Sequence, residues 1–431
     1  MPARPRRIVL TTLGSYGDIN PFVGLALALR ARGHAPVIAT SECYRAYIER
    51  TGVAFHPVRP DADPNDRALI AKIMEPRAGT DFLLRQVILP ALRHSYDDLA
   101  AAMTGADLLV THPITFAGPL VAERTGVPWA SAVLAPISFF SEHDLPVFPP
   151  APWMKRLERI PGGARVLIDI VRVITRRWMD PVRTLRAELG LPDRGDPLYE
   201  GQHSPHLVLA LYSRLLGAPQ RDWPPHVRIT GPILYNGPAA DALPAELEGF
   251  LQAGPPPVVF TLGSSAVSAA GKFYEHSAAA ARALGARAVL LAGAHEDNRP
   301  TRHVGNDILV LDHAPHAALF PRAAITVHQG GVGTLQQALR AGVPMLVTPF
   351  AHDQPDNAHR AARLGVARVL APSRYTARRA ASELGRLMAD AAYAARAREV
   401  GLLVAAEDGA TTACDAIEGL LDGAGPRPGP A

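Results

Sequence analysis

Cysteine is nearly absent: of 431 residues only Cys43 and Cys414 carry a thiol. Their wide separation excludes a disulfide framework and any Cys-x-x-Cys metal motif, and suits a reducing cytoplasm. Lysine is as scarce, with Lys72, Lys155 and Lys272 the only ones among 44 basic residues, so arginine carries the positive charge. The arginines are dispersed among acids. With a formal charge of only +4, that scatter excludes a nucleic-acid face despite a pI near 9.2. One cluster stands apart: Arg172, Arg176, Arg177 and Arg183 interleave with apolar residues on a predicted helix. Two readings stay open for it, a solvated helix face or weak peripheral contact with an anionic membrane surface. Long apolar runs are also missing, and none reaches the ~18 residues needed to cross a bilayer. The opening MPARPRRIVLTTLG passes straight into a strand-like run without a signal-length apolar region. A soluble, cytoplasmic chain is expected, peripheral at most to the inner membrane surface.

What is present is a core. Apolar residues make up 48% of the chain and charged residues 19%, the balance of a globular protein, and the length suggests two large domains. RIVLTTL (7–13) reads as a strand, GSYGDIN as a loop and PFVGLALALRARGH as a helix. Asn20 is expected as its N-cap, with Pro21 in the first helical position and Gly33 ending it. Strands follow at 35–40, 108–112 and 129–134. After about residue 215 the alternation begins again, with HVRITG (226–231) read as the first strand of the second half. The expectation is an α/β fold of two Rossmann-like, doubly wound domains facing each other across a cleft. Their bounds are 1–216 and 226–423, with a turn-rich linker at 217–225 and a disordered tail at 424–431. Open sheets of this kind bind ligands beyond the C-terminal ends of their strands.

TVHQGGVGTLQQALRAG (326–342) is a strand, a glycine loop and a helix. Gly330, Gly331 and Gly333 therefore sit where exposed N–H groups and the helix dipole favour an anion. A tight turn would use the same glycines for steric reasons. His328 at the strand end and Thr334 at the helix start add two donors, which favours a diphosphate. Asp353 and Gln354 follow the next strand on the same rim. A carboxylate beside an amide suits the vicinal hydroxyls of a sugar, although such a pair also serves as a helix cap. Together these features point to a nucleotide diphosphate sugar.

HQGGVGT, HDQPDN and LGSYGDINPFVGLALALRARGH together resemble the nucleotide-sugar glycosyltransferases of the GT-B fold, family 1 and its family 28-like bacterial relatives, over residues 7 to 420. QRDWP (220–224), SEHDLPVFP (141–149) and AHDQPDNAHRAARLG (351–365) are most similar to the bacterial rhamnosyltransferases of rhamnolipid synthesis. The resemblance implies that His328, Gly330, Gly331, Gly333 and Thr334 grip the diphosphate, that Ser264 adds a contact, and that Asp353 and Gln354 hold the sugar. His313 and Ala314, in HAPH, take the place where relatives stack an aromatic residue on the base. Relatives carry Gly-His-x-x-Pro near the N-terminus with the histidine as catalytic base. Asp18 stands at that position here, flanked by Ser15 and Gly17, which would steer the acceptor or touch phosphate. A turn or capping role for Asp18 is the alternative.

The implied reaction is an inverting transfer of a hexose from a UDP- or dTDP-sugar to a hydroxyl of a lipophilic acceptor. It needs no metal or other cofactor, because there is no Asp-x-Asp pair at a strand end and the helix N-terminus, His328 and Ser264 can stabilise the leaving diphosphate. The acceptor is placed beside ISFFSEHDLPVFPPAPW (137–153), where Phe139, Phe140 and Phe148 form an apolar surface and His143 would assist the proton transfer. Rhamnosyl transfer to a hydroxy fatty acid is one version. Glucosyl transfer to a sterol, polyketide or flavonoid is another, and a nucleotide-sugar epimerase or a non-catalytic auxiliary subunit are different classes.

Overall fold

The computed structural model describes residues 4–63, 66–237 and 242–423. The tail expected at 424–431 lies outside them. β1 Arg7–Thr11, β2 Ala35–Thr40, β3 Ala54–Pro57, β4 Leu108–Thr111, β5 Trp129–Val133, β6 Val208–Ala210 and β7 Val227–Ile229 form one sheet, ordered β3-β2-β1-β4-β5-β6-β7. β8 Val258–Thr261, β9 Ala288–Leu291, β10 Ile308–Leu311, β11 Ile325–His328, β12 Met345–Val347 and β13 Ala367–Val369 form a second, ordered β10-β9-β8-β11-β12-β13. Every pairing is parallel. Parallel strands need helices on both faces, and Ile8, Val9 and Leu10 are accordingly buried on either side of their sheet. Both orders reverse direction once, between β1 and β4 and between β8 and β11, which are the switch points where such sheets bind ligands.

Two expectations are corrected. HVRITG does not open the second half: β7 pairs with β6 and completes the first sheet. The first helix spans Tyr16–Ala31, so Asn20 and Pro21 lie inside it. Ser15 is the N-cap, its hydroxyl accepting from the Gly17 N–H at 3.2 Å, while Asp18 accepts from the Ser15 N–H at 2.8 Å. This reciprocal box outcompetes the Asn-Pro signal, because it satisfies two free donors and Pro21 costs only one intrahelical bond in the second turn. Asn20 accepts instead from the Tyr47 hydroxyl at 2.7 Å.

The chain also closes back on itself. Ala413, Cys414 and Ile417, on the last helix Gly409–Leu421, share a core with Phe22, Leu25 and Leu29 of the first. Arg32 binds Asp415 at 2.6 Å and Glu418 at 2.7 Å.

Candidate functional site

β1 and β4 deliver two groups to the first switch point. β1 runs through Leu13 and Gly14 into the Ser15 cap, and Gly14, at φ +134°, leaves no room for a Cβ because one would sit 2.3 Å from Asp18 Oδ2. Asp18 Oδ2 also accepts from the Ser15 hydroxyl at 3.2 Å, so that hydroxyl is engaged within the loop. Asp18 Oδ1 lies 3.5 Å from Nε2 of His112, the residue that follows β4. Nδ1 of His112 accepts from the Ile114 N–H at 3.4 Å, which leaves the proton on Nε2, facing the carboxylate. The imidazole is buried and the carboxylate 31% exposed. Asp18 is thus both a capping residue and an accessible acceptor held by an imidazole. Sequence reasoning passes over His112, although LLVTH shows a histidine at a strand end on the binding rim. The partner of Asp18 is His112 and not His143, which is exposed and pairs with Glu142 at 3.9 Å.

β8 and β11 build the second switch point. Ser264 follows β8 with its side chain exposed. His328 ends β11, fully buried; its Nδ1 accepts from the Gly330 N–H at 3.1 Å, and Nε2, the donor, has no protein partner. Desolvation, reinforced by nearby His316, lowers its pKa to about 3, so the ring is neutral. Gly330 has φ +86°, and a Cβ there would approach Val347 to 2.8 Å. Gly331 caps the helix Val332–Arg340 with no side chain to block its first N–H groups, and Thr334 lies buried in its first turn. A Cβ on Gly333 would lie 3.7 Å from the Cα of Gly17, so the glycine loop of the second lobe faces the Asp18 loop of the first.

The neighbouring loop brings the third group. Asp353 accepts from the Asn357 amide at 2.7 Å, and that amide also donates to the Gly330 carbonyl at 3.0 Å. Burial, and then the nearby carboxylate of Asp18, push the Asp353 pKa up to about 7. Gln354 folds its carboxamide oxygen onto the Phe350 N–H at 2.9 Å, which turns its amide nitrogen into the free end. His352, at φ +58°, meets Thr80 of the first lobe at 3.1 Å through Nδ1, and its buried Nε2 has no protein partner. His352 and Asn357 both lie inside HDQPDN, where the motif alone gives them no role.

The remaining residues divide. His313 is exposed beyond β10 and ring-stacked with His316, whereas Ala314 is fully buried and offers only backbone. Phe139 is core, stacked on Trp223 at 4.1 Å. Phe140 and Phe148 are partly exposed and stack at 6.4 Å. Two small recesses of about 20 Å³ each, room for little more than a water, lie in the first lobe. One is lined by His112, Phe116 and Leu120, the other by Leu13, Ile88 and Leu92, and neither by the four residues expected to hold the acceptor.

Two switch points facing each other, one with an acid and an imidazole and one with a glycine loop, fit the family resemblance. Residues 8–134 match the glycosyltransferase family 28 N-terminal domain, and residues 280–418 the erythromycin biosynthesis protein CIII-like C-terminal domain. O-mycaminosyltylonolide 6-deoxyallosyltransferase of Streptomyces fradiae is 33% identical over 96% of this chain and 97% of its own. The chain belongs to the GT-B glycosyltransferases. A sterol 3-beta-glucosyltransferase of Penicillium rubens is 30% identical over 96% of the chain, which spans 30% of that longer relative. Among solved structures, the glycosyltransferase of kitacinnamycin has a TM-score of 0.72 at 24% identity, covering 97% of this glycosyltransferase and 100% of that chain. The relatives do not bear out a particular kinship with the rhamnolipid enzyme. The spinosyn rhamnosyltransferase SpnG, at 20% identity and TM-score 0.66 over 96% of this chain and 100% of its own, shares the fold alone. Among the described residues, no cluster of three His, Cys, Asp or Glu could hold a metal, and no helix is long and apolar enough to cross a membrane.

Proposed function

We propose that this glycosyltransferase moves a hexose from a UDP- or dTDP-sugar to a hydroxyl of a lipophilic acceptor, with inversion and without a metal. The observation that carries the reading is the facing of the two loops, Gly17 against Gly333, with Asp18 and His112 on one side and His328 on the other. His328 Nε2 and the N–H groups from Gly331 onward would hold the pyrophosphate, a preorganised set of donors for the charge that develops as it leaves. Ser264 would add a contact. Asp353 and the Gln354 amide would take sugar hydroxyls, and His313 would lie against the base. The acceptor hydroxyl would give its proton to Asp18 as its oxygen attacks the anomeric carbon, while the His112 Nε2–H steadies the carboxylate. A single displacement inverts that centre.

The relatives named for a macrolide and for sterols support a bulky, lipophilic acceptor. A solved relative bound to dTDP, VinC, supports a thymidine donor alongside a uridine one; it is 21% identical, with TM-score 0.67 over 96% of this chain and 99% of its own. The test is a panel of nucleotide sugars assayed by thermal shift and then by transfer. Asp18→Asn is expected to abolish transfer and leave nucleotide binding nearly intact; equal loss of both would make Asp18 structural only.

A further inference from the structure

Six of the twelve large apolar side chains that are exposed among the described residues fall between positions 153 and 174. They are Trp153, Ile160, Val166, Ile170, Val173 and Ile174, each with half or more of its surface in water. The last four lie on the helix Gly163–Thr175 at i, i+4, i+7 and i+8, within an arc of about 100°. Packing does not require them. The helix is already anchored by its other face, where Ala164, Leu167 and Ile168 share a cluster with Leu145 and pack on Phe148 and Met154. The outer stripe is therefore a surplus apolar surface, far more concentrated than the scattered hydrophobics of an ordinary surface.

Its rim is cationic. No carboxylate of the described residues lies within 4.0 Å of the guanidinium groups of Arg156, Arg159, Arg165, Arg176 or Arg177. Most acids nearby are engaged elsewhere: Glu158 holds Lys155 at 2.8 Å, Glu200 pairs with Arg172, and Arg183 takes Asp180 and Asp196, while Asp169, exposed on the same helix, is a single carboxylate against five such arginines. Arg172 and Arg183, half of the cluster picked out from sequence, are thus neutralised within the fold, and different arginines carry the free charge. A second copy of this chain is a poor occupant, since a two-fold contact would set two groups of five such arginines against each other with Asp169 the one carboxylate each helix could offer between them.

We infer that this face docks on an anionic lipid bilayer, with the apolar stripe in the acyl boundary, Trp153 at the headgroup level and the five arginines on acidic headgroups. This surface is independent of the proposed chemistry and stands or falls without it.

The test uses the full chain with vesicles of phosphatidylcholine, alone or containing about a third phosphatidylglycerol, at low and high salt. Wild type should co-sediment with the anionic vesicles at least about tenfold more strongly than with neutral ones, and salt should weaken it. Val173→Asp with Ile174→Asp, and separately Arg176→Glu with Arg177→Glu, should each cut that binding about tenfold or more. Both pairs are exposed, so an unchanged melting temperature certifies the fold. Failure of wild type to bind either vesicle, which would assign the face to a protein partner, overturns the inference. So does binding that the substitutions leave unchanged, or a wild-type dimer that Val173→Asp with Ile174→Asp splits into monomers.

Discussion

Asp353 and Asp18 illustrate how much of a residue's chemistry is set by what surrounds it. With its pKa raised to about 7 in the fold, the Asp353 carboxyl stays protonated where an unfolded chain, near ~3.9, has already released its proton. A raised folded value means that this group's contribution is intact below the unfolded pKa and is lost as pH rises from about 4 to about 7. Asp353→Asn removes that loss. The variant is expected to melt higher than wild type at pH 8, with the gap closing toward pH 4, while donor affinity falls because a sugar hydroxyl loses its carboxylate acceptor; a gap that is constant with pH would contradict the assignment. His112 acts through Asp18. His112→Ala is expected to lower kcat by about tenfold to a hundredfold and leave KM for the nucleotide sugar unchanged. A rise in KM with kcat unchanged would place His112 in donor binding instead. Asp18 can be reached from sequence because a motif surrounds it. His112, ninety-four positions away, is joined to it only by strand order.

At the scale of the element, short-range signals are readable where one physical effect dominates. The strand, glycine loop and helix around His328 follow from periodicity and from the need for a positive φ at Gly330, and the structure has them. The start of the first helix is easily misread because two start signals compete within six residues, and a capping box satisfies more donors than an Asn-Pro step. β7 escapes assignment for a different reason: its three residues carry no label of which sheet they join, and only pairing with β6 decides that. The glycine loop gives a paired prediction. Gly330→Ala forces a side chain into a left-handed position against Val347 and is expected to cost roughly 1–3 kcal/mol, read as a lower urea midpoint. Gly333→Ala meets only ordinary contact, so its stability should hold while the added methyl, in the gap facing Gly17, weakens the donor.

Across the whole molecule, the two lobes are joined by a buried ionic clamp that no local pattern announces. Arg360, on the helix Gln354–Arg363 that begins at the sugar loop, binds Asp356 at 2.6 Å and the Leu216 carbonyl at 2.8 Å, and also pairs with Asp144. Asp356 in turn accepts from the Val147 N–H at 3.0 Å, tying the first lobe's aromatic loop to the donor helix. Burial raises the Asp144 pKa, but Arg360 and then Arg363 outweigh it and hold the carboxyl below its usual range. That contribution is present above the unfolded pKa and fades as pH falls through the folded one. Arg360→Met strands the buried Asp356 without its cation, while Asp144 keeps Arg363 at 3.1 Å, and is expected to destabilise the fold by about 3–5 kcal/mol, measured by urea unfolding. A loss below about 1 kcal/mol would show that the lobes do not depend on the clamp.

The measurement that bears most directly on the account is a crystal structure of the chain with UDP or dTDP. The pyrophosphate should lie against the N–H groups that follow Gly331, within hydrogen-bond reach of His328 Nε2, and on the far side of the gap from Asp18. A nucleotide bound outside the interlobe gap, or one whose phosphates leave His328 unpartnered, would contradict it.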